Sequence, residues 1–369
     1  MKRSFHAAAA ALVVVAACLV ACGADAQTAP FYQGKQLTLL INFTAGGPTD
    51  TEGRLVARHL GAHIPGNPVI ISRNIPGAGG LIGANFVGEV APPDGLTLGY
   101  FTGFGSKAMM ADPALRVNIL KFAFVAAGPG ISVTYIRSDV PPGLKVPADI
   151  LKAKDFWAGG LTPDSDKDVR ERMELDFLGL HYNYISGYKG SPEARLAVQQ
   201  NEIQMYPESM PTYRSTIEPG LVKTGEVIPV WYDPLDDGET FSKSPDAEGI
   251  PALPYDQFLK QVKGELPNTV MWDAYRVLNA VGTSFLRVLV MPPGTPPEEV
   301  AILQKALADL DNDADYKADA MTAIKFVPRF LIDDKTVRLF HNTMNPDPKL
   351  RQFLQDYIAK GEDLANSHK

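Results

Sequence analysis

Residues 37–50 read LTLLINFTAGGPTD, an almost unbroken apolar run that stops at a pair of glycines. Leu37 to Phe43 has the composition of a strand buried on both faces, the kind found in a parallel sheet covered by helices. In Thr44-Ala45-Gly46-Gly47-Pro48-Thr49-Asp50 the glycines free the backbone, and Thr49 and Asp50 are caps for a helix in which Val56, Leu60 and Ile64 share one face. Pro65-Gly66 stops that helix. A second strand, Val69 to Ser72, leads into another glycine loop, Pro76-Gly77-Ala78-Gly79-Gly80, and a helix in which Ile82, Phe86 and Val90 recur at four-residue spacing. Pro93-Asp94-Gly95 turns the chain into a third strand, Leu96 to Phe101. The order β-α-β-α-β predicts a parallel sheet with glycine loops at two strand-to-helix junctions.

After Phe101-Thr102-Gly103 the pattern starts again. Val125 to Ala127, Val133 to Arg137 and Asp155 to Gly160 read as strands, alternating with helical stretches such as Asp166 to Leu180, and the unit closes with Ile203 to Tyr206 and Val227 to Trp231. Residues 233–238, DPLDDG, form a polar turn rich in breakers. The chain then re-enters the first unit through a strand at Leu286 to Met291, a proline-rich turn at 292–297 and a helix from Glu298 to Leu310 that begins with acids. The rest, to Lys369, is mostly helical. The expected division is 28–104 with 232–330 for one α/β unit, 105–231 for the other, and a helical tail over 331–369.

A chain of 369 residues with 45% hydrophobic and 21% charged side chains is neither disordered nor collagen-like, and its length suits about two domains. The formal charge of −7 argues against a partner held through phosphates, so nucleic acid is not expected. Residues 1–26 read as a secretory signal, because Lys2 and Arg3 precede an Ala/Val/Leu run from Ala7 to Ala21 that is too short to span a bilayer. Two processing sites compete: cleavage after Ala24-Asp25-Ala26, or a lipoprotein box, Leu19-Val20-Ala21-Cys22, with a lipid tether on Cys22. Either points to the periplasm or the cell exterior. Both cysteines, Cys18 and Cys22, fall in this leader, so a chain cut after Ala26 has no disulfide, thiolate metal site or cysteine nucleophile. It keeps 33 basic against 41 acidic groups, a charge of −8, and any anion must be caught locally.

Helix N-termini leave backbone N–H groups unpaired, and loops at the carboxyl edge of neighbouring parallel strands converge on one crevice. The two glycine loops therefore read either as a joint anion clamp or as tight turns and nothing more. Other chemistries fit less well. Residues 77–83, GAGGLIG, miss the dinucleotide fingerprint by one position, and there is no Walker sequence. His59 and His63 are four apart on one helix face, but Leu60 stands where a zinc hydrolase needs glutamate, so they read as partly exposed helix residues. Asp309, Asp311 and Asp313 open like a calcium loop, yet Ala314 and Ala320 replace its glycine and its bidentate glutamate. No Gly-x-Ser-x-Gly elbow occurs. Tyr188-Lys189-Gly190-Ser191 ahead of a helical stretch, and Tyr206-Pro207-Glu208-Ser209 at a strand end, read either as a second wall of a site or as ordinary helix and strand ends. Trp157, Trp231 and Trp272 read as core.

Five segments occur together in a telling order: INFTAGGPTDTEGRLVARHL from Ile41, RNIPGAGGLIGANFV from Arg73, PPDGLTLGYF from Pro92, GYKGSPEA from Gly187 and MPPGTPPEEV from Met291. From about Leu37 to about Ala320 the chain resembles the Bug or TctC family, periplasmic solute receptors of tripartite tricarboxylate transporters. That resemblance implies two α/β lobes of the type II periplasmic-binding-protein kind, each a mixed, mainly parallel sheet flanked by helices, with the ligand in the cleft between them. It implies a monomer that takes a small organic acid and delivers it to membrane permease subunits, without cofactor, metal or covalent chemistry.

Carried over by position, Phe43, Thr44, Ala45, Gly46, Gly47, Thr49 and Asp50 form the first-lobe loop, with Ala78 and Gly79 beside it to hold the carboxylate. Thr102 and Ser106 match the crossing segment after the third strand. Tyr188, Lys189 and Gly190 match the second-lobe signature, and Glu208 and Ser209 sit near the return crossing. One departure concerns 160–167, GLTPDSDK, where relatives have a small glycine and serine loop. Thr162 and Ser165 are its candidate contacts, whereas Asp164 and Asp166 would repel a carboxylate and suit an amine, a hydroxyl or solvent. The stretch 251–284 is longer than in relatives and could add a helix at the rim or hinge. The alternatives are a secreted enzyme using Asp50, Asp164 and Glu208 as acid and base groups, or a receptor that signals to a sensor partner.

Overall fold

The computed structural model of the chain describes residues 29–366. The leader, with Cys18, Cys22 and both processing sites, lies outside the described residues. In chain order the first elements are β1 (Gln36–Ile41), α1 (Pro48–Leu60), β2 (Val69–Asn74), α2 (Leu81–Glu89), β3 (Thr97–Phe101), α3 (Phe104–Met109) and β4 (Ala123–Gly128). Then come β5 (Ser132–Arg137), β6 (Trp157–Gly160), α4 (Asp166–Leu178), β7 (Asn183–Ser186), α5 (Ser191–Gln199), β8 (Met205–Ser209), a π-helical stretch Tyr213–Val222, and β9 (Val227–Tyr232). The remainder is β10 (Leu235–Asp236), β11 (Phe241–Ser242), β12 (Leu253–Pro254), α6 (Tyr255–Lys263), α7 (Val270–Gly282), β13 (Arg287–Met291), α8 (Pro297–Leu310), α9 (Ala314–Ala323), α10 (Asp334–Met344) and α11 (Pro348–Asn366).

Two main sheets result, one with strand order β2-β1-β3-β13-β4 and the other β12-β9-β5-β8-β6-β7. In the first, β1 pairs parallel with β2 and β3, with Ile41 opposite Asn74 and Tyr100. Leu37, Leu39, Leu40 and Ile41 are fully buried, as a strand covered on both faces requires. Val56 and Leu60 of α1, and Ile64 just beyond it, form the buried stripe their spacing predicts. On α2 the stripe is different: Ile82 and Val90 face solvent, and Leu81, Ala84 and Val87 are core. Gly83 sets that rotation, because a Cβ there would lie 2.8 Å from the Cβ of Asn42, so this is the face pressed on β1.

Three expectations need correction. Val125 to Ala127 was assigned to the second unit, yet β4 sits in the first sheet, antiparallel to β13. A strand from far along the chain inserts between β3 and β4, a non-local pairing that sequence order does not reveal. The chain accordingly leaves the first sheet after Gly128, through Pro129-Gly130-Ile131, and Thr102 and Ser106 lie at the β3–α3 junction instead of on a crossing segment. Finally, neither Thr49 nor Asp50 caps α1: the N-cap is Gly47 with Pro48 at the first helical position.

Residues 251–284 add two helices. Of these, α7 packs on α4 of the second lobe and on α10 and α11, and leads back to β13 of the first sheet. The helix it covers is unusual. In α4, DKDVRERMELDFL, the side chains of Asp168, Arg170, Glu171, Arg172 and Glu174 are all nearly or fully buried. Most are held by specific partners, whereas both carboxylate oxygens of Glu171 lack one, and burial pushes its pKa well above the usual carboxylate value. Arg170 pairs with Asp233 at 2.8 Å, while Glu174 accepts hydrogen bonds from Trp231 Nε1 at 2.7 Å and from the Tyr275 hydroxyl at 3.1 Å. A buried charge such as that of Arg170 persists only when paired, as it is with Asp233. Trp231 and Trp272 are buried, in keeping with their reading as core.

Candidate functional site

Three loops meet at the carboxyl edge of β1, β2 and β3, and one side chain ties them. Asn42, fully buried at the end of β1, donates from Nδ2 to the Thr102 carbonyl at 2.8 Å and the Gly80 carbonyl at 3.3 Å, and its Oδ1 accepts from the Thr102 N–H at 3.1 Å. The Phe43 ring closes the same junction, 3.1 Å from a Cβ placed on Gly80 and 3.5 Å from one placed on Gly103. The second glycine loop needs its composition: Gly77, Ala78, Gly79 and Gly80 all have positive φ, at 121°, 49°, 62° and 95°. Gly46 and Gly79 thus belong to adjoining loops on one edge of the first lobe.

The first glycine loop is fixed from behind by Asp50. Its carboxylate, almost completely buried, accepts from the Gly46 N–H at 2.8 Å, from Arg54 Nε at 2.8 Å and from Asn74 Nδ2 at 2.8 Å. Burial works to raise its pKa, but these donors outweigh that and hold Asp50 below the usual carboxylate value. Asn74 Nδ2 also donates to the Phe43 carbonyl at 2.9 Å. Thr44, Ala45 and Gly46 are left exposed, as are Ala78 and Gly79, with Phe43 and Gly47 half-buried. The first ladder bond of α1 runs from the Thr51 N–H to the Gly47 carbonyl, so the amides of Thr49 and Asp50 precede the ladder and carry the positive end of the helix dipole.

Thr102 is half-buried; its hydroxyl donates to the Leu286 carbonyl at 2.8 Å and accepts from Arg287 at 3.2 Å. Arg287 in turn pairs with Glu52 at 2.7 Å, both side chains being over nine-tenths buried. Ser106 is buried in α3.

The second lobe presents the carboxyl ends of β6, β7 and β8. Ser165 is the N-cap of α4 and accepts from the Asp168 N–H at 3.2 Å. Lys167, in the first turn of α4, donates to the Tyr206 hydroxyl at 2.9 Å and the Pro207 carbonyl at 2.8 Å. Burial works to lower its pKa, yet Tyr206 and Glu208 nearby raise it overall, so the ammonium stays charged. Ser191 lies 3.0 Å from Tyr206, linking this group to the exposed Lys189 and half-buried Tyr188 and Gly190. Glu208 is fully buried, pairs with Arg195 at 3.2 Å and accepts from the Ser209 N–H at 3.1 Å.

The two acids that departed from the small-residue loop both have cationic partners. Asp164 meets Lys107 of α3, on the opposite lobe, at 2.7 Å, and Asp166 lies 3.6 Å from Arg170. Burial pushes the Asp164 pKa up, but hydrogen bonds from Lys107 and exposed Thr162 bring it below its usual value. So the expected repulsion of a carboxylate is largely cancelled within the protein. Asp50, Asp164 and Glu208, the carboxylates an acid–base enzyme would need, each sit on an arginine or lysine. His59 and His63 are paired with Asp319 at 3.0 Å and Asp313 at 2.9 Å. Asn42 and Asn74 were missed from sequence; the only hint was a polar residue ending each apolar run just before its glycine loop.

Two α/β sheets flanked by helices, the first with glycine loops at the carboxyl edge of its parallel strands, have the architecture of two-lobed solute-binding proteins. The same fold occurs in a TctC solute-binding protein from Polaromonas, with a TM-score of 0.62 at 20% identity over 88% of this chain and 98% of that one. It also occurs in MatC from Rhodopseudomonas palustris, solved with bound malate, with a TM-score of 0.51 at 18% identity over 89% and 98%. In sequence, a UPF0065 protein from the gbd 5′ region of Cupriavidus necator is 42% identical over 238 residues, covering 60% of this chain and 68% of the relative. No family model matches the chain. The chain belongs to the UPF0065 (Bug) family, and its fold is that of the TctC and Bug solute-binding proteins.

Proposed function

We propose that this protein is an extracytoplasmic receptor that captures a small organic carboxylate between its lobes and hands it to the membrane permease of a tripartite tricarboxylate-type transporter. The observation that carries this reading is the meeting of the two glycine loops at one edge of the first sheet, where Asn42 and Asp50 hold them and the backbone of Thr44 to Gly46 and of Ala78 and Gly79 is left exposed. Amide dipoles fixed before the ligand arrives bind an anion without a surplus of positive charge, which suits an acidic chain. The malate bound to the MatC relative is a ligand of the same chemical class. Thr162, Ser165, Tyr188, Lys189 and Gly190 supply the opposing wall, and hinge closure brings it onto the ligand. Asp50 and Glu208 act as scaffold, and no covalent step is assigned to them.

Titration of the purified protein against mono-, di- and tricarboxylates, followed by calorimetry and thermal shift, tests this. Saturable binding of at least one acid without turnover is expected. No heat and no shift across the panel would refute it. Native mass spectrometry of the protein as isolated identifies the ligand directly.

A further inference from the structure

The C-terminal helix α11 touches both lobes. On the first-lobe side, Arg351 Nε donates to the Met109 carbonyl at the end of α3, at 2.8 Å, and Gln355 reaches the Met110 carbonyl at 3.4 Å. On the second-lobe side, the Tyr357 hydroxyl donates to Asp176 Oδ2 of α4 at 2.6 Å. The Arg172 guanidinium of α4 stacks between Tyr184 of β7, 5.0 Å away, and Tyr357 of α11, 5.3 Å away. It also fills the space above Gly361, where any Cβ would collide with it. The helix reaches this position from α10, whose Phe340 packs on Phe124 and Phe285 of the first lobe.

The packing is continuous as well. One apolar cluster runs from Leu40 and Phe101 in the first lobe, through Phe340, Leu354 and Tyr275, to Tyr184 and Trp231 in the second. Beside it, Lys107 and Asp164 join the lobes directly, bordering a hollow of about 410 Å³ that Gln355 and Ile358 of α11 also line.

We propose that α11 is a strap between the lobes which, with the Lys107–Asp164 pair, holds the unliganded receptor close to its closed arrangement. A two-lobed receptor hinged only at its crossings is free to open widely. Here opening strips Tyr357 and Arg172 from their partners, parts an ion pair and exposes apolar surface along α11. A ligand then has little closure to drive, because apparent affinity is the intrinsic affinity multiplied by the fraction already competent to bind. Removing the strap lowers that fraction, weakens binding by the same factor, and turns a shallow motion into a large ligand-driven one.

The test needs no ligand, so its outcome is separate from that of the receptor reading. With Cys18 and Cys22 replaced by Ser, spin labels on Lys305→Cys in α8 and Lys223→Cys near the end of the π-helical stretch, both exposed positions, report the interlobe distance by pulsed electron resonance. The parent should give one narrow distribution. Lys107→Met with Arg351→Met and Tyr357→Phe, which keeps the apolar seat of α11, should add a longer-distance population and reduce the closed one about twofold or more. A chain ended after Asn345 should open further. Distributions that match the parent in the triple variant, checked for a cooperative melt, would overturn the proposal even if the shortened chain does not fold. So would a parent that is already broad.

Discussion

Replacing Asn42 isolates what holds the cleft edge together. Asn42→Ala deletes three hydrogen bonds and leaves the Gly80 carbonyl, the Thr102 carbonyl and the Thr102 N–H without their partner. A buried polar group stranded in this way costs about 1–3 kcal/mol, and since Thr102 is only half-buried and can regain water, the total is about 3 kcal/mol. Asn42→Asp should be worse than alanine, because the carboxylate keeps the bond from the Thr102 N–H but faces two carbonyl oxygens with no proton to offer. Both variants should bind the acid ligand about tenfold more weakly, equivalent to ~1.4 kcal/mol of lost preorganisation. Urea denaturation followed by tryptophan fluorescence gives the stability, and calorimetry gives the affinity. An Asn42→Ala protein within about 0.5 kcal/mol of the parent, the usual range for surface changes, would refute the role assigned to this side chain, as would an aspartate variant more stable than the alanine one.

Three further outcomes follow from named contacts. Burial and the nearby Asp233 push the Glu174 pKa up to about 8. Its contribution to stability is therefore whole below the ordinary carboxylate pKa and is lost as pH rises through about 8, so unfolding free energy should fall between pH 5 and pH 8.5, and Glu174→Gln should flatten that slope in urea titrations. Glu52→Gln strands the buried Arg287 and should cost about 3–5 kcal/mol, whereas Glu52→Leu with Arg287→Met should recover most of it in the same assay. Gly79→Ala should cost about 1–2 kcal/mol for its positive φ alone. Gly80→Ala should cost distinctly more by thermal unfolding, since its Cβ would lie 2.2 Å from Asn42 Nδ2.

The parallel core of the first sheet was legible because each apolar run ends at a glycine loop and each helix begins with a proline or glycine signal, all within a few residues. The place of β4 was not, because strand order in a sheet is decided by which distant strand inserts, and β13 comes from the far side of the second lobe. Candidate residues divide in the same manner. Thr44 to Gly47, Ala78 and Gly79 were found as backbone that the sequence leaves free, and all but the half-buried Gly47 are exposed. Asp50 and Glu208 were found as polar residues near candidate loops, but their burial turns them into supports, held by Arg54 one turn further along α1 and by Arg195 of the preceding helix α5. Asp164 read as a repulsive charge because Lys107, its counter-ion, belongs to the other lobe.

The charged interior of α4 has a consequence for how the chain becomes a protein. A helix carrying seven ionisable side chains in its first nine positions, DKDVRERME, has only a sparse set of apolar side chains there, Val169 and Met173, with which to settle on its sheet early. Its shields, α7 and α11, are encoded after all the strands of that sheet, and Tyr357 and Gly361 lie within the last few turns. Maturation of the second lobe therefore waits for α7 and α11, so that a molecule lacking them keeps this helix hydrated and its sheet uncovered.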